Sequence, residues 1–187
     1  MIKPVPLPAG TTLRLLEAGD APALLEAYRR NHDHLATFDP ARAESFYTLT
    51  VQQSRLETSL ERMDAGLLLS TVIERDGQIL GTANLNNIIY GALCSAAVGY
   101  WVDGGELRQG LATGLVAALC RIADEELGLH RLEASVSPRN VASQGVLAKS
   151  GFEEYGRVSR YLYINGSWQD SILTHKILND RPPAVLP

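Results

Sequence analysis

Apolar positions recur along this chain at two different spacings, and the switch between them marks out the elements. From Val98 to Val102 they fall in a short β-rich run, Val98-Gly99-Tyr100-Trp101-Val102. Glycines and a polar turn follow, and apolar residues then return at helical spacing through Leu115, Leu119, Ile122 and Leu127. The pattern predicts strand, glycine turn and helix, and the rest of the chain is read around this unit.

Upstream, residues 11–16 alternate as a strand. Asp20 caps a helix running to about Arg30 on Leu24, Leu25 and Tyr28, with Pro22 tolerated in its first turn. Residues 31–40 are polar and read as a loop. Thr50 with Gln53 fits a capping box for a helix whose stripe is Leu56, Leu60 and Met63 and which stops near Gly66. Strands are expected over 67–74 and 78–88, joined by a hairpin turn at Asp76-Gly77, and over 92–102 after a turn at Tyr90-Gly91.

Downstream of the central helix and its stop at Gly128, a strand is expected over 131–137, halted by Pro138. A short helix over 140–149 and a last hairpin, 152–164 with 168–177 around Asn165-Gly166, complete the pattern. Pro4, Pro6 and Pro8 favour an extended lead-in over 1–10, and the proline-rich tail from 179 is expected to be disordered. Neither repeats nor a linker divides this order, so it predicts one α/β (α+β) domain with an ordered core of about 11–178. A ligand site is expected where the strand meander gives way to a crossover, just after Asp103.

The turn before the central helix has its own chemistry. First-turn N–H groups lack intrahelical partners and carry about half a positive charge from the helix dipole, so a phosphate can rest there. Gly110 admits close approach, and Ala112, Thr113 and Gly114 keep the entrance uncrowded. Ordinary turn chemistry remains the alternative. Neither the Rossmann nor the P-loop spacing is present, and no lysine lies between Gly99 and Lys149. The candidate ligand is therefore a pyrophosphate held mainly by backbone amides.

Composition narrows the classes further. At 187 residues, 45% hydrophobic and 20% charged, the chain suits one globular domain, and a net charge of −4 offers no basic stripe for nucleic acid. Cys94 and Cys120 sit in apolar contexts without metal-ligand spacing and read as buried free thiols. His32 and His34 lack a third ligand nearby, so no metal is expected. Without a signal-like N-terminus or a run of about 18 apolar residues, the expected place is the cytoplasm, away from membranes.

The segments Val98-Gly99-Tyr100-Trp101-Val102, Gln109-Gly110-Leu111-Ala112-Thr113, Arg131-Leu132-Glu133-Ala134, Asn140-Val141-Ala142-Ser143, Val146-Leu147-Ala148-Lys149-Ser150-Gly151-Phe152 and Asn165-Gly166-Ser167-Trp168-Gln169-Asp170, in this order, resemble the GNAT superfamily of N-acetyltransferases. Within it the chain is similar to the RimJ/RimL type, the ribosomal-protein N-terminal acetyltransferases. The likeness is dense from about 80 to 175.

The resemblance implies a mixed, mostly antiparallel seven-stranded sheet with helices on both faces, splayed at its central strands, where the strand before the loop leaves its parallel neighbour at a bulge. It implies acetyl-CoA as co-substrate and direct attack by a primary amine in a ternary complex. The acceptor it suggests is the α-amine of a protein or peptide. A small amine, a non-catalytic CoA-binding module and another acyl donor such as succinyl-CoA are the alternatives.

By the same resemblance, amides over Leu107, Arg108, Gln109, Gly110, Leu111, Ala112 and Thr113 hold the pyrophosphate. Backbone groups of Tyr100, Trp101 and Val102 pair with the pantetheine and polarise the thioester carbonyl. Asn140 positions the arm and Ser143 protonates the departing thiolate; the plain alternative is that Asn140 only caps the short helix. Leu107 departs from the usual Gln or Arg. For the base that the amine needs, Glu133 is the candidate by chemistry, with a structural strand glutamate as the alternative. Asn31, His34 and Phe38, with Asp33, are candidates to line the acceptor cleft, and a solvated loop is the alternative. Relatives are often homodimers, but no stretch declares an interface.

Overall fold

The computed structural model describes residues 2–183. Eight strands form one sheet: β1 (Val5–Leu7), β2 (Thr11–Leu15), β3 (Leu68–Arg75), β4 (Gln78–Ile89), β5 (Ser95–Val102), β6 (Arg131–Val136), β7 (Glu153–Ile164) and β8 (Ser167–Ile177). Their order is β1-β2-β3-β4-β5-β6-β8-β7, with only the β5–β6 pair parallel. The two expected hairpins form where the turn dipeptides stand: Asp76-Gly77 and Asn165-Gly166 are left-handed at both residues, as a turn matched to strand twist requires.

Five α-helices cover the sheet: α1 (Ala21–Arg30), α2 (His32–Ala36), α3 (Leu49–Asp64), α4 (Leu111–Arg121) and α5 (Val141–Lys149). On one face, Leu111, Leu115 and Leu119 of α4 and Leu147 of α5 bury against Leu85, Val98, Leu132 and Val136. On the other, Leu24 and Tyr28 of α1 and Leu56 of α3 close with Phe46 over Val72 and Ile79. Each such side chain contributes about 1.5–3 kcal/mol of transfer free energy, so both helix pairs are held by their apolar stripes rather than by helix propensity.

The parallel pair positions the site. It joins Ser95 to Arg131, Ala96 to Leu132 and Ala97 to Glu133, and there it stops. Beyond that row β5 stays on β4 as far as Val102, while β6 stays on β8 as far as Val136. Each strand follows its own antiparallel partner, and the sheet's twist then carries the two apart. A V opens between them.

Several expectations are corrected. The sheet has eight strands, not seven, because the lead-in pairs as β1 along the edge, where Pro6 lies opposite Thr12; an edge tolerates a residue that cannot donate. Part of the expected polar loop is the helix α2, anchored by buried Leu35. α3 opens at Leu49 after Thr48, with no Thr50–Gln53 box; Thr48 Oγ1 instead donates to the Ser45 carbonyl at 2.7 Å, and buried Gln52 donates to that of Phe46. β5 begins at Ser95, later than position 92, after a left-handed Cys94.

The bulge lies on β4, where the register shifts between Asn86 and Ile89 around left-handed Asn87, and not on β5. The last turn of the α4 segment is a π-helix over Ile122–Glu126. The start of the tail is pinned: Leu178 N donates to the His130 carbonyl, and the Asn179 amide reaches Asp124 and the Leu129 carbonyl. The disorder expected for 184–187 lies outside the described residues. Among those residues, no helix is long and apolar enough to cross a membrane.

Candidate active site

The unpaired edge of β5 beyond Ala97 is one wall of the V. Strand alternation sends Tyr100 and Trp101 to opposite faces. The Tyr100 hydroxyl meets Ser143 Oγ of α5 at 2.9 Å, bridging the gap that the strands leave open. Burial pushes the Tyr100 phenol above its ordinary value of 10.0, opposed by the bond to Ser143, so both hydroxyls are neutral at physiological pH. Trp101 packs on Tyr28 with ring centroids 5.4 Å apart, on the face of α1 and α3.

Ser143 is placed by the start of its helix. Asn140 Oδ1 accepts from Ser143 N at 3.0 Å, an ordinary cap that fixes the first turn of α5. The Asn140 carbonyl oxygen is thereby used, which leaves its NH2 group as the donor it can offer a ligand.

The loop after β5 is braced from below. Asp103 is 5% exposed, yet both its carboxylate oxygens are satisfied: Oδ1 accepts from Gly105 N, and Oδ2 from Arg30 Nε at 2.7 Å and Asn31 Nδ2 at 2.8 Å. Burial pushes the Asp103 pKa up, but the bonds from Asn31, Gly105 and Arg30 outweigh it, and the net value falls below the ordinary 3.8.

The loop itself is strained open. Arg108 (φ 63°) and Gly110 (φ 78°) are both left-handed, and Gly110 stands at the N-cap of α4 without any side-chain cap. A non-glycine residue at positive φ stores strain of about 1–3 kcal/mol, the kind of cost that accumulates at ligand clamps. The amides opening α4 are left for a ligand. Glu106, which would repel an anion here, is neutralised by the Arg75 guanidinium and accepts from Gln109 Nε2 at 3.1 Å. Leu107 is half exposed and offers no polar group.

The other face carries the acceptor candidates, and the structure separates them. Asn31 is buried at the end of α1 and fully engaged: its amide nitrogen donates to the Ala27 carbonyl and to Asp103, and Oδ1 accepts from Gly104 N. It is a brace between helix and loop rather than a cleft lining. His34 is exposed, and its ring packs against Gly104, where an added Cβ would lie 3.3 Å from Cγ. Phe38 lines a cavity of about 380 Å³ with Thr37, Arg139, Asn165, Ser167 and Gln169. That cavity closes at one side where Asn165 Nδ2 donates to the Ala36 carbonyl, tying the β7–β8 hairpin to α2.

Glu133 stands on the last paired row before the V. Its neighbours Leu132 and Ala134 face the α4 side, so it faces the acceptor side, with one oxygen held by Arg131 at 2.8 Å and His175 opposite on β8. A larger cavity, about 680 Å³ between β1 and the C-terminal end of α4, lies at the opposite end of that helix from the loop and has no part in the site.

Sequence reasoning missed the Tyr100 hydroxyl, the Asp103 brace and Arg139. Tyr100 and Ser143 are 43 positions apart, and Asn31 and Asp103 are 72 apart. No local spacing announces either contact. Only the glycine-rich turn hinted that Asp103 closes a strand under special geometry.

Known proteins match this arrangement. Residues 11–153 match the acetyltransferase (GNAT) domain family. The probable N-acetyltransferase YjcK of Bacillus subtilis is 36% identical over 168 residues, covering 89% of this chain and 91% of that one. The [ribosomal protein uS5]-alanine N-acetyltransferase of Escherichia coli is 28% identical, covering 91% and 89%. Mycobacterium smegmatis RimJ, solved in complex with CoA-disulfide, superposes with a TM-score of 0.88 at 33% identity, covering 94% and 86%. The splayed parallel pair, the uncapped helix mouth and these likenesses agree: the chain belongs to the GNAT acetyltransferase family and is an N-acetyltransferase.

Proposed function

We propose that this enzyme transfers the acetyl group of acetyl-CoA to the N-terminal α-amine of a protein or peptide. The observation that carries the choice of acceptor is the cavity beside the V: none of its six lining residues is a carboxylate, whereas a site for polyamines or aminoglycosides needs acidic groups. An open groove between a helix and a hairpin tip also suits an extended chain. The uS5-alanine relative, named for a ribosomal-protein acceptor, supports the reading.

Acetyl-CoA brings the activated thioester, and the residues that fit it are those with spare donors. Amides over 107–113 take the pyrophosphate, and the edge of β5 from Tyr100 to Val102 takes the pantetheine amides in place of the missing neighbour strand. The Asn140 NH2 steadies the arm. Tyr100 donates to Ser143 Oγ, which turns the Ser143 proton toward the departing sulfur: the sulfur leaves as a thiol, the Tyr100 proton refills Ser143, and the second proton that the attacking nitrogen sheds as it becomes an amide returns through solvent to Tyr100. On the opposite face, the free oxygen of Glu133 receives a proton from the acceptor ammonium, directly or through one water, so that a neutral amine attacks.

His34 and Phe38 wall the approach. Both cysteines are buried and free, which suits a reducing compartment, and the proposed setting is the cytoplasm.

The test is transfer itself. Purified protein with acetyl-CoA is offered peptides beginning Ala or Ser, the same peptides N-terminally blocked, spermidine and an aminoglycoside, and thiol release is followed. Release with free-amine peptides alone, with one acetyl at the N-terminus by mass spectrometry, is the expected result. Release with the polyamine or aminoglycoside and not with peptides overturns it.

A further inference from the structure

Arg139 is the cation of the acceptor cavity, and its surroundings leave it free to bind. It directly precedes Asn140, the cap that sets Ser143 against Tyr100, so it stands one residue from the transfer machinery while lining the outer cavity. Its backbone is fixed by the bond from its N–H to Ser137 Oγ. Among the described residues, the guanidinium pairs with no carboxylate, and one N–H goes to Gln169 Oε1 at 3.2 Å. Four of its five donors remain, enough for a two-bond grip on a carboxylate.

The neighbouring groups reinforce this. Gln169 donates in turn to Ser167 Oγ, so the polar wall across from Arg139 is a chain of neutral groups. Asn165 donates to α2. Two carboxylates each neighbour a lining residue in sequence: Asp39 is held by Arg42 at 2.7 Å, and Asp170 falls on the opposite face of β8 from Ser167 and Gln169 and accepts from Arg160 N. The cavity is therefore lined by one cation among neutral groups, and that cation stands one residue from the Asn140 cap that places Ser143. Arg139 is one position from Asn140, and an extended peptide advances about 3.4 Å per residue, so the residues it faces are the first few after the amine.

Resting on the peptide reading above, we propose that the acceptor cleft prefers N-termini carrying an aspartate or glutamate within their first few residues, and that Arg139 reads this charge. The residue sets specificity and does not touch the reacting atoms.

Peptides with a free N-terminal Ala or Ser and with Asp, Asn or Lys at positions two to four are compared on the native enzyme, Arg139→Gln and Arg139→Glu, with acetyl-CoA binding by each variant as the check on folding. The native enzyme is expected to favour the Asp peptides over the Lys peptides by roughly tenfold in kcat/KM, mainly through KM, and less so at high salt. Arg139→Gln flattens the series and Arg139→Glu reverses it. The same ranking in all three enzymes, or no ranking in a native enzyme that does acetylate these peptides, overturns the charge preference alone. Failure of every peptide while another amine is acetylated overturns the acceptor reading and the preference with it.

Discussion

The two walls of the V are made of different material. The proposed CoA wall is mostly main chain: an unpaired strand edge beyond Ala97, left-handed Arg108 and Gly110, and a helix mouth without a side-chain cap. The proposed acceptor wall is mostly side chain, with Phe38, Arg139 and Gln169 arriving from three separate segments. Main-chain recognition depends on where the backbone goes, so it tolerates the loss of one polar side chain, as at Leu107. Side-chain recognition depends on which residues meet, so single substitutions retune it. One wall is expected to be shared widely among related enzymes and the other to be individual.

The sharpest way to separate the walls is to remove a group that belongs to neither binding surface. Ser143→Ala deletes the proposed proton donor but no anion-binding amide. It is expected to lower kcat by about 100-fold or more with little change in either KM, since general acid assistance is typically worth 10²–10⁴. Tyr100→Phe keeps Ser143 but frees its orientation, and a loss of about tenfold is expected. Steady-state kinetics on one peptide decide both, and a loss carried by KM instead would assign these hydroxyls to binding.

Next in size is a break in the CoA wall alone. Gly110→Val places a β-branched side chain at φ 78°, a conformation that costs such residues a few kcal/mol. The loop must rearrange, and acetyl-CoA affinity is expected to fall roughly 10- to 100-fold while the peptide ranking survives. Calorimetric titration with CoA checks this; unchanged affinity would show that the left-handed turn is not part of the clamp.

The smallest expected effect lies under both walls, in the brace that joins α1 to the loop. Because the Asp103 pKa is lowered in the folded protein, its ionised form favours folding at pH above its ordinary 3.8, and that contribution fades as pH falls through the lower folded value. The stability gap between the native protein and Asp103→Asn is expected to be full at pH 6 and to shrink on acidification below about pH 4. Urea unfolding across that range measures it. A gap that widens in acid reverses the sign and removes the ionised brace.

The same contrast explains what could be read from the chain before folding. Asp76-Gly77, Asn165-Gly166 and the Gly110 turn lie within a few residues of what they shape, so local rules reach them. The lead-in strand was hidden because Pro4, Pro6 and Pro8 look incompatible with a sheet until Pro6 is seen to lie in its edge strand, with Pro4 and Pro8 just outside that strand. α2 was hidden because its anchor, Leu35, is one apolar residue in a polar stretch. On the acceptor side, Asn31 has the composition of a cleft residue, yet its partners come from Asp103 and Gly104, more than 70 positions away. Chemistry at a position suggested a role; only the fold assigned one.

The central claim is that an acyl carrier lies along the open edge of β5 with its diphosphate on the amides before α4. A crystal structure of this protein with CoA tests it most directly. The expected map places pyrophosphate oxygens within hydrogen-bond distance of amides over 107–113, the pantetheine beside Tyr100–Val102, and the sulfur near Ser143 Oγ. CoA bound elsewhere, with the edge of β5 still unpaired, would contradict the account.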